Sequence, residues 1–384
     1  MNRIAGEHAR IRPLDGLRGI AILLVLWFHF WEISWFSHEV KILGQTFNFD
    51  FIPISGFIGV DLFFFVSGFC LFWPLSHEGA EGLHRGNILN YIYRRAIKIL
   101  PSYWLAIFVI LIFFEKSFQT WQQTAWHAFT HLFFIHNFWG DTYGSINGVL
   151  WSLAIEVQFY VLFPAVAWLF KRNPLAVWAA AATGAAAYRY YFAYSGRDDY
   201  EFFMNQLPGV IDLFLSGMLA AQLLRWLSRR EDAWIKPTST VLAPVFAAVF
   251  LGLLYKFYQV RYDVTKGHFL TTYRTLFALD FIALAVLSCR AASAWIALLA
   301  NPAFTYLSLI SYNLYIWHQF LGRLMVQSRM PASAHADPHN DADWRFQFML
   351  FAILVSIALA SAITYLFERP LLKRQAPGPF KPRH

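Results

Sequence analysis

Cysteine is nearly absent from this sequence: Cys70 and Cys289, both inside apolar runs, are the only two in 384 residues. That excludes a disulfide framework and a cysteine-based metal site. Charge is scarce as well, with Asp, Glu, Lys and Arg making up 14% of the chain, too little to clothe an ordinary soluble domain. The formal charge of +8 is not gathered into one basic patch; the Lys and Arg sit at the ends of apolar segments, so membrane topology accounts for them and a nucleic-acid partner is not indicated. There is no internal repeat and no appended soluble domain. The first apolar run lacks a small-residue cleavage site and reads as an uncleaved span.

What is present is apolar. Hydrophobic residues make up 58% of the sequence, with 40 Phe and 16 Trp, a composition that suits lipid-facing surfaces and interfacial belts. Runs of spanning length predict helices near 17–36, 54–75, 99–114, 149–170, 174–194, 208–228, 237–256, 269–289, 300–325 and 345–367, hence an all-α, polytopic transmembrane bundle of about ten spans. Most Lys and Arg then fall on one side, which places both termini in the cytoplasm. Residues 1–368 read as one transmembrane domain and 369–384 as a basic, Pro-containing cytoplasmic tail. The stretch 125–138 is short and holds His127, His131 and His136; it reads as interfacial or re-entrant, and if it spans, every later helix inverts. Of these histidines only His127 and His131 share an i, i+4 face, so no metal site is expected.

The first span, LDGLRGIAILLVLWFHF, carries Arg18 and His29. Eleven residues make close to three helical turns, which puts the two on one face about 16 Å apart. Arg18 alone would also serve as a helix-end anchor. Asp61 in GFIGVDLFFFVSGF, Glu156 in WSLAIEVQFY and His318 in SYNLYIWHQF each lie ~10 Å below the outer end of their helices, and His29 lies about 18 Å above the inner face of a ~30 Å hydrocarbon core. The four therefore share a layer. Two imidazoles and two carboxylates in a low-dielectric layer are the parts of a proton-transfer site, although interhelical hydrogen bonding alone would also retain them. Arg94, Arg95 and Lys98, in YIYRRAIKILPSYW, suit phosphate binding at the inner surface, or plain positive-inside anchoring.

Taken in order, RPLDGLRGIAILLVLWFH, GVDLFFFVSGF, YRRAIKILPSYW, GVLWSLAIEVQFYVLFP, FLSGMLA, SYNLYIWHQF and FERP resemble the acyltransferase-3 family of integral-membrane O-acyltransferases over residues 12–370. The resemblance implies transfer of an acyl group, usually acetyl, from cytoplasmic acyl-coenzyme A to a hydroxyl of a carbohydrate or lipid-linked acceptor, in a bacterial inner membrane. Acyl-CoA is then a co-substrate, and no permanently bound cofactor is implied; polysaccharide-assembly proteins are possible partners. The family's essential arginine and histidine fall on Arg18 and His29. Its pair of inner arginines falls on Arg95 and Lys98, and the lysine gives up a bidentate phosphate fork while keeping the charge. The resemblance gives roles to the layer: His29 as base, Glu156 or Asp61 orienting it, and His318 holding the acceptor or sharing the proton. Two other readings stay open: a proton-coupled secondary transporter, which repeated halves or paired broken helices would favour, and a non-catalytic polysaccharide-assembly protein.

Overall fold

The computed structural model describes residues 11–77, 85–114, 118, 120–230, 232–263 and 269–374. Arg3, Arg10, Lys116, Lys266 and the tail from Gln375 onwards lie outside the described residues. The described residues are all-α apart from one antiparallel hairpin, Glu39–Ile42 with Gln45–Asn48. Each predicted span contains a helix. Eight are long and apolar enough to cross a membrane alone, and a bent pair makes a ninth. The Ala-rich helix Pro174–Ala193, capped by the Asn173 side chain, is not among them.

Three boundaries differ from the hydropathy reading, each for a local reason. The helix predicted from residue 99 begins at Arg85 and runs 29 residues to Phe113; its first half is amphipathic, so an apolar window misses it. Pro101 lies within it, and Tyr312 donates to Ile99 O at 2.8 Å, supporting the backbone beside the proline. The span predicted over 300–325 is the continuous helix Pro302–Gln327, but a short helix that the prediction lacks stands before it. Ser293–Leu299 and Pro302–Gln327 meet at 45°, because Asn301 Oδ1 accepts from Phe304 N at 3.0 Å and Pro302 takes the first helical position. Finally, residues 121–132 form a 12-residue helix with a Thr120–Gln123 capping box. At ~18 Å it is too short to span.

The chain divides into two compact units. The first takes residues up to Leu23, Ile58–Gly82 and Ala167–Leu309. We label its helices α1 (Arg12–Ser34, shared with the second unit), α3 (Ile58–Leu75), α7 (Pro174–Ala193), α9 (Leu207–Ser228) and α11 (Arg274–Arg290). Helices α3 and α9 touch backbone to backbone. A Cβ on Gly68 would lie 2.0 Å from Phe214 O, and one on Gly217 would lie 1.9 Å from Phe65 O. Lipid supplies no hydrophobic drive between helices, so approach of this kind is how they gain packing energy. Gly217→Ala is therefore expected to cost ~3 kcal/mol, read as a lowered midpoint of unfolding in mixed detergent micelles. Gly252 has nothing within 4 Å of its Cβ position, and Gly252→Ala should leave the midpoint in place.

The second unit takes Leu24–Phe57, Leu83–Val166 and Ile310–His384. It holds the upper part of α1, the hairpin, α4 (Arg85–Phe113), α5 (Trp121–Leu132), α6 (Leu150–Arg172, to Val166), α13 (Pro302–Gln327, from Ile310) and α14 (Ala342–Ile363). A π-helical turn, Thr364–Glu368, follows α14, and another, Phe269–Tyr273, precedes α11 in the first unit.

Candidate active site

The second unit brings His29 and His318 into contact. Gly322, one turn beyond His318 on α13, permits it: a Cβ there would lie 2.9 Å from Ile33 Cδ1 and 3.2 Å from Phe30 Cε1, so a larger residue would push α1 away. The imidazole centroids are 4.9 Å apart. His318 Nδ1 lies 2.8 Å from Tyr315 O and 3.1 Å from Leu314 O. Facing two carbonyls, it must carry the proton, which leaves its Nε2 bare. That Nε2 lies 3.0 Å from His29 Nδ1, which is also 3.0 Å from Val25 O. Both neighbours of His29 Nδ1 accept, so this nitrogen too is protonated. The lone pair of the neutral pair is thereby placed on His29 Nε2, which has no hydrogen-bond partner among the described residues.

Below this pair lies a column of hydroxyls and carboxylates. Tyr315 OH and Ser152 Oγ are 2.5 Å apart, and both reach Val149 O. One turn along α6, Glu156 Oε1 accepts from Tyr160 OH. None of the hydrogen bonds of His29 goes to Glu156. Beyond the tyrosines stands the basic group. The Arg95 guanidinium is 5.8 Å from the Tyr160 ring centroid and 6.0 Å from that of Tyr91, with Nε buried and unbonded. Lys98 pairs with Glu368, which also accepts from Asn313 Nδ2 at 2.6 Å. Arg94 is exposed. These residues lie on α4, not on a loop.

Asp61 and Arg18 belong to the first unit. Asp61 is buried against Arg274, with Nε to Oδ2 at 2.9 Å; the same guanidinium reaches Met204 O and Asn205 Oδ1. Arg189 forms a second buried pair, with two bonds to Asp212 at 2.9 and 3.0 Å, one to Gly209 O and one to Thr275 Oγ1. Arg18 Nε is buried without a partner, as are both carboxylate oxygens of Asp280. Sequence reasoning missed Arg189 and Glu368. An arginine inside an apolar Ala-rich run was itself the signal for the first, whereas Glu368 entered only as part of the closing FERP motif, with no partner assigned to it. His131 on α5 stacks on His136, in the turn His136–Phe138 that follows, at 3.9 Å, and His127 Nδ1 bonds Ser145 Oγ at 2.8 Å. Among the described residues no group of three or more His, Cys, Asp or Glu could hold a metal ion.

Residues 11–366, which include this whole column, match the family described as an acyltransferase domain. The chain belongs to the acyltransferase-3 family. With eight or nine helices long and apolar enough to cross a membrane among its described residues, this acyltransferase-3 chain is an integral membrane protein. It is similar to the peptidoglycan O-acetyltransferase OatA of Listeria monocytogenes, 27% identical over 175 residues, or 42% of this chain and 25% of that one. The O-acetyltransferase OatA of Staphylococcus aureus is 30% identical over 165 residues, 40% of this chain and 24% of its own. A longer match, 24% over 351 residues, covers 83% of this chain and 52% of a S. aureus protein named "Putative O-acetyltransferase SAS0844". The acyltransferase-3 chain thus spans about a quarter to a half of the length of these relatives. No solved structure matches it.

Proposed function

We propose that the protein is a membrane O-acyltransferase that moves an acyl group, acetyl by family habit, from acyl-CoA to a hydroxyl of a carbohydrate or lipid-linked sugar. The observation that carries this reading is the His29–His318 pair, whose hydrogen bonds leave one basic nitrogen open. In the reaction the acceptor oxygen attacks the thioester carbonyl while His29 Nε2 takes the hydroxyl proton. The C–O bond forms, the C–S bond breaks, and the proton passes to the departing thiolate, so that ester and free thiol are the products. His318 plays the part that a carboxylate plays in a Ser-His-Asp triad: its bare Nε2 accepts from His29 Nδ1–H, fixing the tautomer and sharing the positive charge. Transfer is direct, within a ternary complex.

Arg94 and Arg95 are assigned to the phosphates of the donor, and Arg18 to the donor by its place in the family motif. Lys98 is neutralised by Glu368, so its contribution is to hold α4 to the end of α14. The tyrosine-lined column from Arg95 past Glu156 to His318 is assigned to the pantetheine arm; along α13 the rise from Tyr312, beside Lys98, to His318 is ~9 Å. Asp61, paired with Arg274, is assigned to holding the first unit together. We place both termini in the cytoplasm of a bacterial cell, with the protein in its inner membrane and acyl-CoA as a transient co-substrate. The test is mass spectrometry of the host's surface glycans and lipids with the gene intact, deleted, and restored as His29→Ala. Loss of one acyl mass on deletion, restored by the natural gene and not by the variant, supports the assignment and names the acceptor. No acyl difference in any pool overturns it.

A further inference from the structure

Arg323 lies on α13, five residues beyond His318, and its charge acts on the His29 ring. It is exposed, and among the described residues it enters no hydrogen bond or ion pair. Gly148, in the segment leading into α6, faces it. The point that a Cβ of Gly148 would occupy is 2.7 Å from Gln319 Oε1 and 3.8 Å from Arg323 Nη2. Gln319 is 7% exposed and its Oε1 is buried with no donor. A guanidinium and an unsatisfied acceptor, both on the helix that carries His318, therefore flank one position that glycine keeps clear of a side chain.

The unpaired guanidinium offers a carboxylate or phosphate a planar, two-bond fork. The orphaned Gln319 Oε1 asks for a different group, a hydroxyl or amide N–H. A sugar that bears an acid supplies both.

We propose that Arg323 and Gln319 form the acceptor subsite for an anionic sugar, the acid lying on Arg323 and a sugar hydroxyl or amide donating to Gln319 Oε1. The inference rests on the acyltransferase reading and names the acceptor class of that same site. A neutral sugar gains only the contact to Gln319.

The experiment uses the full chain in lipid nanodiscs with three probes: methyl glucoside, methyl glucuronide and glucose 1-phosphate. Binding is read without donor by saturation-transfer NMR, and transfer is read with acetyl-CoA. The natural protein should prefer one or both anionic probes over the glucoside, and Arg323→Gln should lower that preference by about 10- to 100-fold, the range for losing a hydrogen bond to a charged group. Selectivity lost for the glucuronide alone assigns a carboxylate, and for the phosphate alone a phosphate. Gln319→Glu gives a second route, since it places an internal carboxylate beside Arg323 and should erase the preference with the arginine intact. No preference in the natural protein, or equal loss for all three probes in both variants, overturns the proposal. Transfer surviving His29→Ala would instead overturn the base assignment, while the binding selectivity is read separately.

Discussion

His29→Ala protein, reconstituted with acetyl-CoA and its acceptor, is expected to turn over about 10²- to 10⁴-fold more slowly than the natural protein, the range set by loss of a positioned general base. His29→Gln should fall as far, because an amide fills the space and offers hydrogen bonds but cannot take a proton at neutral pH. Binding of acyl-CoA should be unchanged in both, as the residues assigned to its phosphates lie on α4. His318→Ala should do less harm: Val25 O still holds His29 Nδ1, so the tautomer survives and only the sharing of charge is lost. Turnover that survived either change at His29 in folded protein would end the base assignment. Equal losses at His29 and His318 would mean that the pair acts as a single unit, as triad members do.

Asp212→Ala should be the most damaging substitution for stability in the first unit, at about 3–5 kcal/mol. Its partner Arg189 is 0% exposed, and removing the carboxylate leaves a guanidinium with two bonds broken and no water to replace them. The loss is one of charge compensation and not of packing. Replacing both residues by apolar ones, Arg189→Met with Asp212→Leu, should therefore recover most of it. Unfolding in mixed detergent micelles reads all three variants. By contrast Arg197 and Asp199 pair at the exposed surface, where solvent screening leaves little to lose, and Arg197→Ala should not move the unfolding midpoint. A double variant as unstable as the single one would show that the pair contributes packing that aliphatic residues cannot replace.

The helices were legible because lipid imposes a plain rule: about twenty apolar residues cross it, and the sequence has runs of that length. The rule fails where charge and helix coincide. Arg85–Lys98 is helical but too polar for an apolar window, and the short helix Ser293–Leu299, set at 45° to the span that follows it, lies outside every predicted run. Counting turns placed His29 and His318 in one layer, yet depth says nothing of azimuth; their contact depends on Gly322, whose meaning appears only when α1 is seen against it. The same limit governs the carboxylates. Asp61 shares the predicted layer, but its partner Arg274 is 213 residues away and sits just after a π-helical turn. Glu156 keeps its place near the site through Tyr160, one turn along its own helix. Arg323 stood out in no motif, since an arginine near the end of a span is ordinary until its lack of a partner is seen.

The two π-turns carry a genetic consequence. Such a turn is one surplus residue carried inside an α-helix, and in this chain Glu368 closes one and Arg274 follows the other. An in-frame loss of three nucleotides within Tyr365–Phe367 would let the backbone relax to α and swing Glu368 by about 100° around the helix axis, off Lys98 and Asn313. Substitution scanning across those apolar codons would report tolerance, because side chains there are not what is being counted. The reading frame of the helix is, and only a deletion scan would reveal it.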